Sequence, residues 1–193
     1  MATVEMPTGG APLTVLNEEE QMFRDTVRQF AESEVRPRVH QMDEAQQMDP
    51  DLIPQIFELG LMAVEVPEEF GGAGASFFTA ALVVEELSRV DASVGVLVDV
   101  QNTLVNNAFL RWGSEDLKAR YLPQLASERV GAYALSEAGS GSDAFALTTR
   151  GVEADGGYRL TGRKLWITNG AEAEIFIIFA NVNPEAGYRG ITA

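Results

Sequence analysis

The residues with the most chemical character lie between Tyr133 and Gly170, in two short blocks. The first reads Ala134-Leu135-Ser136-Glu137-Ala138-Gly139-Ser140-Gly141-Ser142-Asp143, a strand that breaks into a loop of small residues with several hydroxyls. Gly139 and Gly141 are free to adopt φ > 0 and to let a ligand approach the backbone. Consecutive N–H groups in such a loop form a concave nest for a phosphate. The second block reads Lys164-Leu165-Trp166-Ile167-Thr168-Asn169-Gly170. It predicts a short apolar strand with one tryptophan and, two residues on, a threonine on the same face. A phosphate-tolerant loop beside a flat aromatic predicts a large cofactor with a phosphate end and a planar ring end. Taken alone, each block has a plainer reading: an ordinary loop between strands, and a core tryptophan.

Composition narrows the remaining chemistry. The chain has 193 residues and 46% hydrophobic content, enough for a real core and too much for a disordered protein. The net charge is −15. All of the acidic excess lies in residues 1–149, whereas residues 150–193 carry five basic and five acidic groups. Such a protein repels nucleic acid, and an anionic ligand needs local donors. The absence of cysteine excludes disulfides, thiolate chemistry and Fe–S ligation, and a single histidine argues against zinc, so no metal site is expected. No apolar run reaches the ~18 residues of a membrane span. Residues 1–16 hold no Arg or Lys and read as a loose leader, or a mature start after processing.

Two kinds of element must position the two blocks. Asn17 before three glutamates starts a helix, with Phe23, Val27 and Phe30 at helical spacing and Pro37 expected to kink or end it. A second helix starts near Asp51 and stops at Gly60. Ser76 caps a third, to about Val90, and Asp91 a fourth, to about Trp112, apolar nearly all round and so expected at the centre. The amides of Gln101, Asn102, Asn106 and Asn107 interrupt it: they pair with backbone, or some face a ligand cavity. A short fifth helix runs to about Tyr121. The glycines near Gly72 read as a turn, and His40 as a surface residue. At Val130 the period changes to alternation. Strands are expected over 130–135, 146–153, 158–160, 165–168 and 175–180, the last central because Ile175 to Phe179 is apolar on both faces. Ala154-Asp155-Gly156-Gly157 is a hairpin signal. The resulting architecture is α+β and multi-domain: a leader over 1–16, a helical domain over 17–129, and a partial β domain over 130–193. Ile191-Thr192-Ala193 looks like a strand just beginning, so the chain is expected to stop inside its second domain.

This order, with Ala-Leu-Ser-Glu and Ser-Gly-Ser-Asp opening the sheet and Trp-Ile-Thr-Asn-Gly following, resembles the flavin-dependent acyl-CoA dehydrogenases. Residues 134–137, 140–143 and Ala146 fill every place of that family's first signature. The likeness extends from about Leu13 to Ala193. Finer features, including Glu85-Glu86-Leu87-Ser88-Arg89-Val90-Asp91-Ala92-Ser93 and Gly187-Tyr188-Arg189-Gly190-Ile191-Thr192, resemble its short/branched-chain branch.

The resemblance implies a fold, a cofactor and roles. The β domain is expected to be an incomplete antiparallel β-barrel, and the cofactor FAD. Tyr133, Leu135, Ser136, Gly141 and Ser142 are expected to line the flavin, with the Leu135 backbone and Ser136 hydroxyl on its polar edge. Trp166, Ile167 and Thr168 are expected against the ring system, with Thr168 near N5. Ser142 and Tyr188 are expected to contact substrate, and Val100, Gln101 and Leu104 to line the acyl pocket. Glu137 and Asp143 hold the loop by hydrogen bonds or an ion pair rather than act as an acid–base pair. The implied reaction is α,β-dehydrogenation of a short or branched acyl-CoA, with electron-transfer flavoprotein as partner, a homo-oligomer, and the mitochondrial matrix or a bacterial cytoplasm as location. The family's catalytic base is a glutamate of a C-terminal helical domain beyond Ala193, so no residue is assigned as catalytic. The chain by itself is expected to bind FAD weakly at best, to turn nothing over, and to expose apolar helix faces near Val83 and Val94. The alternatives are a non-catalytic flavin- or acyl-CoA-binding remnant, a split-gene subunit, or an acyl-CoA oxidase of the same architecture.

Overall fold

The computed structural model describes residues 15–193; all but the last two residues of the expected leader lie outside them. Helices fill the first two thirds and two small sheets the rest. Helix α1 (Glu18–Phe30) begins at a reciprocal cap: Glu20 N–H donates to Asn17 Oδ1 at 2.9 Å and Asn17 N–H to Glu20 Oε2 at 2.8 Å. Pro37 does not end this helix. The rod passes through a π-helical stretch, Ala31–Val35, and a 3₁₀ turn, Arg36–Arg38, into α2 (Val39–Ala45). The wider turn ahead of the proline accommodates its ring and its missing N–H. The chain continues through α3 (Leu52–Glu58), α4 (Phe77–Ser88), α5 (Ala92–Asp99), α6 (Asn107–Trp112) and α7 (Glu115–Ser127). Ser76 and Asp91 cap α4 and α5 as expected, and α7 runs six residues beyond the expected end at Tyr121, carrying Pro123 inside it.

Val27, Leu52, Ile56, Leu87 and Val98 are fully buried in the main core, each contributing about 2 kcal/mol of apolar burial. Arg28 of α1 grips the buried Glu86 of α4 with two hydrogen bonds, at 2.6 and 2.9 Å. The expectation that faces near Val83 and Val94 stand exposed is corrected: both side chains are buried, because α1, α4 and α5 pack on one another. Exposed apolar side chains include Phe77, Val96, Leu104, Trp112 and Phe176. The fourth helix is therefore not enclosed all round. It is also not one regular helix: a π-helical stretch, Val100–Asn106, joins α5 to α6.

The strands are β1 (Gly131–Ala134), β2 (Arg150–Ala154), β3 (Gly157–Thr161), β4 (Ile175–Ile178), β5 (Ala180–Asn181) and β6 (Ile191–Thr192). One sheet pairs β1 with β4, and the other has the order β3-β2-β5-β6. The β2–β3 hairpin turns through Asp155 at φ 44° and Gly156 at φ 79°, as its sequence predicts. Antiparallel pairing throughout does not hold: β1–β4 and β2–β5 are parallel, and the described residues form no closed barrel. β4 is an edge of its two-stranded sheet rather than a central strand, with Phe176 45% exposed. Leu165 to Thr168 is not a strand. Trp166 takes φ 58°, a left-handed conformation costly for a bulky side chain, and Asn169 takes φ 63°.

Candidate functional site

The loop after β1 is built on one buried carboxylate. Ser140 N–H donates to Glu137 O at 3.1 Å and Glu137 N–H to Ser140 O at 3.0 Å, closing a tight turn. The Ser140 hydroxyl donates to Asp143 O at 2.9 Å. From this turn the Glu137 side chain points inward, with 4% of its surface exposed. Oε2 accepts from Thr148 N–H and Oγ1, both at 2.6 Å. Oε1 accepts from Thr149 N–H at 3.0 Å, from the Thr149 hydroxyl, and from Lys164 Nζ at 2.8 Å. Lys164 Nζ also donates to Leu135 O at 2.9 Å, and Leu165 N–H donates to Ser136 O at 2.9 Å. One ion pair thus joins the loop, the approach to β2 and the segment carrying Trp166.

Burial pushes the Glu137 carboxyl up, but the hydrogen bonds from Lys164, Thr148 and Thr149 outweigh it and hold the group well below the usual carboxylate range. It stays ionised, and with both oxygens already bonded to Thr148, Thr149 and Lys164 it is a poor proton acceptor near neutral pH. A carboxyl held low in the folded state stabilises fully above its unfolded pKa of about 4.3, and that contribution fades as pH falls below it toward the folded value. The gap between the urea midpoints of the parent chain and Glu137→Gln is expected to narrow steadily as pH falls from 5 to 3. A difference that stays constant over this range contradicts the assignment.

The remaining residues sit around this anchor. Gly141, Ser142 and Asp143 are exposed, Leu135 and Ser136 half-buried, and Asp143 contributes to the loop through its backbone carbonyl rather than an ion pair. Gly139 and Gly141 do not take positive φ, and an added Cβ at either would meet nothing. They keep the outer face of the loop open, and the N–H groups of Gly139, Gly141 and Ser142 have no internal partner among the described residues. Trp166 is 93% exposed, with Ile167 and Thr168 half-buried beside it. Free N–H donors, an unfilled cradle and an uncovered indole fit a ligand with a phosphate end and a planar ring end.

Tyr188 stacks on Phe145 with ring centroids 5.2 Å apart, which brings the stretch before β6 against the loop. Tyr133 packs on Phe179 at 4.9 Å, and burial pushes its phenol up, so it is neutral. Tyr133 and Leu104 both border a cavity of about 1020 Å³ between α6, α7 and β4, lined also by Tyr121, Arg120 and Phe176. Ser142, Trp166 and Tyr188 do not border it.

Gln101 and Val100, expected at the acyl pocket, lie away from this cavity. Gln101 is fully buried: its Nε2 donates to Leu125 O at 2.9 Å and Arg129 O at 3.1 Å, and its Oε1 accepts from Gly131 N–H at 2.7 Å. Val100 is 6% exposed, and neither borders the cavity. The amides of Asn102 and Asn106 likewise bond backbone, of Val64, Leu61, Val98 and Met62. Two contributors escape sequence reasoning. Lys164 has no local partner to betray a buried pair, and Phe145 reads as an ordinary loop residue until Tyr188 packs beside it. His40 is exposed, as expected. Among the described residues no helix is long and apolar enough to cross a membrane, and no group of three or more His, Cys, Asp or Glu residues is placed to hold a metal ion.

Residues 17–129 match the family described as acyl-CoA dehydrogenase, N-terminal domain, and residues 132–193 that described as acyl-CoA dehydrogenase, middle domain. A probable short/branched chain specific acyl-CoA dehydrogenase of Dictyostelium discoideum is 48% identical over 183 residues, covering 94% of this chain and 44% of the relative. Butyryl-CoA dehydrogenase from Megasphaera elsdenii superposes with a TM-score of 0.87 at 32% identity, over 92% of this chain and 48% of that one. A glutaryl-CoA dehydrogenase from Mycobacterium smegmatis, solved in complex with FADH2, superposes with a TM-score of 0.81 at 30% identity, over 87% of this chain and 44% of that one. The chain spans less than half the length of these relatives.

Proposed function

The chain belongs to the acyl-CoA dehydrogenase family, and on that premise we propose that it forms the flavin-facing wall of an FAD-dependent dehydrogenase for short or branched-chain acyl thioesters. The observation that carries this reading is the Glu137–Lys164 pair, which sets an exposed small-residue loop beside an exposed tryptophan. FAD is the family's cofactor, and when bound it accepts the hydride that leaves the substrate β-carbon as the α-proton goes to a base.

In this reading Gly141 and Ser142 offer N–H donors to the phosphates, while Leu135 and Ser136 border the polar edge of the ring together with Tyr133. Trp166 and Ile167 cover the ring, and the Thr168 hydroxyl donates near its reactive nitrogen. Ser142 and Tyr188 contact the thioester's carrier, and Leu104 borders the acyl chain. The helical half over 17–129 and the β half over 130–193 act as two domains, the second extending toward the family's antiparallel barrel. Glu137 is spent on anchoring, so the α-proton goes to a group outside the residues assigned here. Acyl-CoA, an electron-transfer flavoprotein and a second copy of the chain are the proposed partners.

A Trp112→Phe chain leaves Trp166 as the single indole and reports on the ring site. Titration with FAD is expected to quench its emission, and Trp166→Ala to weaken FAD binding about tenfold, since aromatic contact is worth ~1 kcal/mol or more. FAD that binds without quenching places the ring elsewhere and sinks the reading. Bleaching of bound FAD by 2-methylbutanoyl-CoA in this chain alone overturns the assignment of the base to a group outside it; uptake of FAD with no reduction, even after the family's C-terminal half is supplied, marks a binding module instead.

A further inference from the structure

The segment that carries Trp166 is held at two ends. Its start is held by Lys164, on Glu137 and Leu135 O. Its end is held by Asn169, whose side chain is buried and donates to Leu97 O at 3.2 Å and Gly131 O at 3.1 Å. Leu97 belongs to α5, and Gly131 opens β1. The N–H of the same Gly131 donates to Gln101 Oε1, in the π-helical stretch that also carries Leu104. Both backbone polar groups of one glycine are therefore taken by side chains, one from the helix bordering the cavity and one from the segment bordering the loop.

Gly131 is also a point of close approach. A Cβ there would lie 2.5 Å from Val105 Cγ1 and 3.1 Å from Leu125 Cδ2. With no side chain of its own, the strand backbone lies directly against the Val105 and Leu125 side chains, and a shift of one is passed to the other. The irregular helix serves this junction: Gln101 is free to reach across to β1, while Asn102 and Asn106 hold the 61–64 segment.

We propose that Gln101 and Asn169 are positioning residues that couple the helix of the acyl cavity to the Trp166–Thr168 segment through the Gly131 backbone. The functional meaning of this coupling rests on the flavin-facing reading of Trp166; the mechanical link does not. The cavity helix and the ring-covering segment move as one unit, so an acyl group pressing on Leu104 is felt at the indole.

Hydrogen exchange on the 193-residue chain, without any ligand, tests the link. Gln101→Met removes the helix side of the junction. It is expected to raise exchange across 165–173 about tenfold, the effect of losing about 1.4 kcal/mol of local protection. Asn169→Gly keeps the left-handed backbone at φ 63° and cuts the other side. It is expected to raise exchange in 102–106, beyond the turn that starts at Leu97, which Asn169 touches directly, and, with Trp112→Phe, to lower the anisotropy of Trp166 emission. Asn102→Leu is the control, an equally buried amide in the same stretch that does not touch Gly131; it is expected to loosen 61–66 and leave 165–173 unchanged. Exchange across 165–173 within twofold of the parent in Gln101→Met overturns the proposal, as does an equal rise in Asn102→Leu. Should Gln101→Met not fold, Asn169→Gly decides by the same criterion at 102–106. A parent chain that takes up no FAD counts against the proposed function and leaves these arms intact.

Discussion

Glu137→Ala is expected to cost the chain about 3–5 kcal/mol, the range for removing one partner of a buried ion pair. Lys164, 11% exposed, is left as an uncompensated charge, and the N–H and hydroxyl groups of Thr148 and Thr149 lose their acceptor together. The loss concentrates at the proposed flavin wall, because the same carboxylate fixes the loop, the approach to β2 and the start of the Trp166 segment. FAD uptake is expected to fall with it. Urea unfolding of the parent and the variant measures the first effect, and quenching of Trp166 the second. Glu137→Leu with Lys164→Met is expected to regain part of the stability, since no charge then remains buried, while FAD binding stays impaired. A single-variant loss below about 1 kcal/mol would mean that water replaces the carboxylate readily, and the anchor would have to be sought elsewhere.

Gly162→Ala is the second large effect, and it reaches the same anchor from outside. Gly162 follows β3 and lies against Thr149; a Cβ there would stand 2.2 Å from Thr149 Oγ1 and 2.7 Å from Thr149 Cα. The backbone atom cannot swing aside as a side-chain tip can, so Thr149 must shift and its two bonds to Glu137 weaken. Overpacking of this kind costs about 1–3 kcal/mol, and the weakened anchor places Gly162→Ala at the upper end. The distinguishing test is a double-mutant cycle. Once Glu137→Ala has removed the acceptor, the alanine is expected to cost at least about 1 kcal/mol less. Strict additivity would show that the two sites are independent.

Much of the site was legible because its determinants are local. The small-residue loop is one short block and the tryptophan with its threonine another, and their types announce a ligand with a phosphate and a ring. What those types do was less legible. Gly139 and Gly141 suggest positive φ, yet neither adopts it, because the turn closes through Glu137 and Ser140 and the glycines serve only openness. Leu165 to Thr168 has the composition of a strand. It fails to become one because Lys164 and Asn169 pin its ends to different elements, and the chain between them bends through Trp166.

The sequence by itself determined the helix starts, the β2–β3 hairpin, the change from helical to alternating period, and the family, since each depends on caps, turn residues or motifs within a few positions. Only the tertiary structure decided the function of the polar residues that interrupt apolar runs. Gln101 and Lys164 are unpaired in any local window; their partners lie 24 to 30 and 27 to 29 residues away, respectively. A buried amide or ammonium must find partners or pay the cost of desolvation. The sequence states that requirement, but it takes the folded chain to say that Gln101 meets it on the backbone of β1 rather than on a ligand.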